Sequence, residues 1–102
     1  MKLVSVNKKE EQNIFLKNYE FVTSINGKLK TYDVTASNYS SPIKDSFDSI
    51  VIRENELAIG IIHKDVFFVS YDSNGDGVID ISDESYQAME IIREYFKGNI
   101  NE

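Results

Sequence analysis

The 102-residue chain has no cysteine and no tryptophan, one proline, one histidine and five glycines. The missing cysteines exclude disulfides, thiolate zinc sites, iron–sulfur clusters and cysteine nucleophiles together. A single histidine leaves no imidazole cluster for zinc or copper. Positive charge is scarce: 11 Lys and Arg stand against 17 Asp and Glu, a formal net charge of -6. A surface of that sign repels a phosphate backbone outside any local basic patch, so nucleic acid is not an expected partner. Apolar runs are only a few residues long, too short to span a bilayer as a helix. The opening Met1–Val6 leads into Asn7, Lys8, Lys9, Glu10 and Glu11, too polar for a signal-peptide apolar region. The expectation is a cytoplasmic protein with no membrane contact.

What is present belongs to a folded chain: 41% of residues are apolar and 12% aromatic. That composition and length predict one domain over residues 1–102 with a single core. Met1–Val6 alternates as a short strand. Asn7 and Glu10 then form a capping-box pattern, and Ile14, Phe15 and Tyr19 follow at helical spacing. This predicts a short helix over about residues 8–18. Phe21–Ile25, Asn26-Gly27 and Lys28–Val34 read as a β-hairpin, because Asn-Gly supplies the two positive-φ positions of a type I′ turn. Pairing across that turn sets Phe21 opposite Tyr32 and Tyr19 opposite Val34.

Residues 35–49 are polar and hold the only proline, a long connection of the kind that is often functional. Strands follow at Ile50–Ile52, Leu57–Ile62 and Val66–Tyr71. The last is apolar on both faces, which predicts a central place in the sheet. Ser82 or Asp83 caps a C-terminal helix. Tyr86, Met89, Ile92, Tyr95 and Phe96 recur on it at three- and four-residue spacing, and Gly98 stops it. The expected fold is α+β: a mostly antiparallel sheet of about five strands, with the short N-terminal helix and the C-terminal amphipathic helix packed on one face.

One segment carries recognisable chemistry. Asp72, Asn74, Asp76, Asp80 and Asp83 place side-chain oxygens at positions one, three, five, nine and twelve of a twelve-residue loop. The Val78 carbonyl supplies position seven, and Gly77 falls at six, where the chain turns sharply. Calcium takes several hard oxygen ligands, so this spacing predicts a Ca2+ site. The pattern resembles the EF-hand calcium loop, and more closely the dockerin form, which also ends in aspartate. The resemblance covers residues 72–83 and the following helix. It departs from both families in having one loop instead of two and a strand before the loop instead of a helix. A terminal Asp offers fewer ligand oxygens than Glu, so modest affinity is expected. The competing reading is an ion-free β-hairpin turn at Asn74–Gly77; it accounts for the glycines but not for five spaced oxygens.

Other constellations are weaker. His63 beside Asp65 has no nucleophile elbow, and aspartate pairs need a substrate cleft that so short a chain has little material to build. No enzyme is expected. Lys8, Lys9, Lys17, Lys28 and Lys30 make the first third mildly basic, a solvated face on the ordinary reading. Tyr32, Tyr39, Phe47 and Tyr71 suggest either core or an aromatic docking patch. From Asp65 to Glu94 there are eight acidic residues and one basic. Such a field steers association with a basic partner, and Glu84, Glu90 and Glu94 are the candidate contacts. The functional expectation is a small acidic binding module, of the immunity-protein or toxin-inhibitor kind, that blocks a basic protein. The alternative is a module whose main function is calcium binding itself.

Overall fold

The computed structural model describes residues 1–10, 13–38, 46–63, 66–69 and 83–98. Six strands, β1 (Lys2–Lys8), β2 (Leu16–Ile25), β3 (Lys28–Ser37), β4 (Ser49–Glu54), β5 (Leu57–His63) and β6 (Val66–Val69), precede one helix, α1 (Asp83–Phe96). The strands form one antiparallel sheet in the order of the sequence.

The β2–β3 hairpin forms in the expected register, with Phe21 opposite Tyr32 and Tyr19 opposite Val34. Asn26 and Gly27 take φ of 50° and 77°, as a type I′ turn requires. Alternation then puts Phe21, Thr23, Tyr32, Val34 and Ala36 on one buried face. In β4 the same alternation buries Ile50 and Ile52. Two bulges adjust the pattern elsewhere. The β1–β2 register shifts between Leu3 and Ser5, so Leu3 and Val6, three residues apart, both pack against the core. The β4–β5 register shifts after Ile52, and Ile59 and Ile62 are both buried.

The short N-terminal helix is not formed among the described residues, and the fold is mostly β with a single C-terminal helix. Asn7 and Lys8, expected at the helix start, pair instead with Glu20 and Tyr19 in the β1–β2 ladder. The chain reverses around Asn13, whose side-chain oxygen accepts from the Phe15 N–H at 2.8 Å and whose carbonyl accepts from Leu16 N–H at 3.2 Å. A helix of about eleven residues with three apolar positions is marginal in water, whereas strand pairing satisfies the backbone of Asn7, Lys8 and residues 16–18 and packs Val6 and Tyr19 against the core. The described residues form six strands, in keeping with the expected antiparallel sheet of about five. β6 is not central: it closes the order and pairs with β5 alone among the described strands.

α1 covers the buried face of the sheet. Ser85, Ala88, Met89, Ile92 and Phe96 point inward. Gly98 has φ of 89°, the left-handed conformation that ends a helix at little cost to glycine. Around Phe96 an aromatic cluster closes the core, with ring centroids 5.3 Å from Tyr19, 5.7 Å from Phe21 and 5.5 Å from Phe47. Tyr95 sits edge-on to Phe21 at 5.1 Å. Such pairs add about 0.5–1.5 kcal/mol each beyond area burial. No helix among the described residues is long and apolar enough to cross a membrane.

Candidate functional site

The calcium-loop candidates Asp72, Asn74, Asp76, Val78 and Asp80 lie outside the described residues. Their flanks are described: β6 ends at Val69 and α1 begins at Asp83, the last proposed ligand. Among the described residues no group of three or more His, Asp or Glu side chains is placed to hold a metal ion.

The three acidic contacts expected on α1 are not placed alike. Glu90 and Glu94 are exposed and one turn apart, on a stripe turned away from the sheet. Arg93 and Lys97 share that stripe, and the four side chains line an open cleft. Lys97 approaches Glu94 at 3.9 Å, an exposed contact worth little. Glu84 lies about 120° around the helix from Glu90, at 100° per residue. Its carboxylate meets Lys30 of β3 at 3.1 Å.

That contact belongs to a polar cluster with no counterpart among the sequence-based expectations. Lys30 Nζ also reaches Glu54 of β4 at 3.4 Å, and the buried Ser85 hydroxyl donates to the other Glu54 oxygen at 2.7 Å. The hydrogen bond to Glu84 is the main reason the Lys30 pKa is raised; burial opposes it and the Glu54 charge adds to it. Tyr32, two residues along β3 on the same face, has its pKa raised by burial first and then by the Glu54 charge. A signal for the cluster exists in the sequence. Strand alternation that buries Tyr32 and Ile52 necessarily turns Lys30 and Glu54 to the same face.

A second charged group lies on the opposite face. Lys9 binds Asp33 at 2.8 Å, and that hydrogen bond raises its pKa against a small burial effect. Arg53 donates to Thr35 Oγ1 at 3.4 Å, and Thr35 donates to Asn18 at 2.9 Å. The basic residues of the first third are thus spread over both faces. Lys17 lies 5.8 Å from the Phe47 ring centroid, a cation–π contact.

Of the aromatic patch, Tyr32 and Phe47 are core residues, 0% and 2% exposed, and cannot dock a partner. Tyr39 and Tyr71 lie outside the described residues. His63 is exposed at the end of β5, and Asp65 lies outside the described residues. The chain matches no protein-family model, no curated protein and no solved structure.

Proposed function

We propose that this chain is a non-enzymatic binding module that blocks a basic protein partner, in the manner of an immunity protein or inhibitor. The observation that supports this reading is the exposed pair Glu90 and Glu94 on the outward stripe of α1, in a chain of net charge -6. Paired carboxylates one helical turn apart suit a Lys- or Arg-rich surface, and the overall charge accelerates encounter with one. The test is affinity capture from the native host with wild-type and E90K/E94K bait, at low and high salt. The expected result is a basic protein retained by wild type and lost on charge reversal or in high salt, whose activity falls when the purified chain is added. A partner indifferent to both treatments overturns the reading. Glu84 is left unaltered in this bait, because reversing it also breaks its contact with Lys30.

A second reading is calcium binding by residues 72–83. It is supported by the oxygen spacing of Asp72, Asn74, Asp76, Asp80 and Asp83 and by a helix that starts at Asp83. Calorimetric titration should show millimolar-range or tighter Ca2+ binding that weakens in Asp72→Ala and Asp76→Ala. Absence of both heat and a thermal shift in millimolar Ca2+ returns the segment to an ion-free turn.

A further inference from the structure

The two ends of α1 are held by different chemistry. At the C-terminal end Tyr95 and Phe96 lock into the rings of Tyr19, Phe21 and Phe47. At the N-terminal end the first turn meets the sheet through charge: Lys30 to Glu84 at 3.1 Å and Ser85 to Glu54 at 2.7 Å. Lys30 spans both carboxylates, so a single side chain of β3 ties α1 to β4. The side chains of Lys30 and Glu84 are 34% and 43% exposed, within reach of water and salt.

We propose that α1 is a hinged element whose first turn is an electrostatic latch. The latch opens independently, while the second half of the helix stays docked. The inference does not depend on what α1 binds. Without the Lys30 charge, Glu54 and Glu84 repel each other across the junction, and Ser85 hydrogen-bonds a carboxylate that has lost its counter-ion. The apolar contacts from Ala88 onward are untouched by that change. Local opening of this kind draws on the least stable contacts of a fold and leaves the rest closed.

Hydrogen exchange on the full chain tests it. In Lys30→Met the amides of residues 86–88 should exchange about ten-fold faster, the scale expected for losing charge-assisted hydrogen bonds. Amides of Ile92–Phe96 and of the β2–β3 hairpin should keep their protection. Glu84→Gln removes one arm without altering shape, and should give a smaller acceleration at the same amides even if Lys30→Met fails to fold. Raising the salt concentration should mimic the effect in wild type. Uniform acceleration along α1 in Glu84→Gln, or none, overturns the proposal.

Discussion

Thr23 of β2 is fully buried, and its hydroxyl has no hydrogen-bond partner among the described residues. The Tyr32 hydroxyl is also buried, beside Ser85. Leaving a buried hydroxyl unpaired costs about 1–3 kcal/mol, and removing it with an isosteric apolar group recovers part of that. Thr23→Val should therefore stabilise the protein by about 0.5–1 kcal/mol, read as a higher urea midpoint at an unchanged slope. A lower midpoint would mean that the hydroxyl is satisfied in solution. At the other extreme Phe96 contacts four other rings, and its position was legible from helical spacing alone. The partial burial of Lys17 and Lys30 was not, because charged residues are assigned to solvent unless the strand register is followed through them.

Two tight hairpins show how the elements are set. Asn26-Gly27 joins β2 to β3, and Asn55-Glu56 joins β4 to β5 with φ of 51° and 69°. Both turns need left-handed conformations, but only the first has glycine at its second position. Gly27→Ala meets no atom within 4 Å, so its cost is conformational: about 1–2 kcal/mol of lost stability in denaturant melts. Glu56→Gly relieves the same strain and should gain about 0.5 kcal/mol, the strain released less the entropy glycine loses on folding. The first turn was legible because its chemistry is local. The second lies in the gap expected between Ile52 and Leu57, but Arg53 and Glu54 extend β4 and leave only Asn55-Glu56 as the turn, a pair with no glycine signal. The segment at residues 8–18 misleads for a related reason. Its capping-box pattern is a local preference of a fraction of a kcal/mol to about 1 kcal/mol, and the β1–β2 ladder outweighs it.

At the scale of the molecule, charge governs the pH response. Lys9, Lys30 and Tyr32 all have raised pKa values: the lysines through hydrogen bonds to Asp33 and Glu84, the tyrosine through burial. A raised folded-state pKa means that the folded state holds its proton longer than the unfolded one. The stability it contributes is complete below the unfolded values of 10.5 for lysine and 10.0 for tyrosine. It is lost as pH rises through the folded values. Urea midpoints should therefore fall above about pH 10, and Tyr32→Phe and Lys30→Met should each flatten that fall. An unchanged alkaline slope in both variants would show that these groups do not carry it. Among the described strands β1 lies at one end of the sheet order, and it carries Lys2, Lys8 and the Val4 bulge, all features that discourage edge pairing.

By itself the sequence determined the β2–β3 hairpin and its register, the C-terminal helix and its stop, and the strand-rich character of residues 50–69. These depend on turn residues and on periodicity, which act between near neighbours. Only the tertiary structure decided that residues 16–18 extend β2 instead of ending a helix. It also decided that β6 comes last in the order of the described strands, and that Glu84 turns to Lys30 while Glu90 and Glu94 face outward. Each of these outcomes is a competition between distant segments for the same backbone partners or the same buried face. A local preference of about 1 kcal/mol does not determine which side wins.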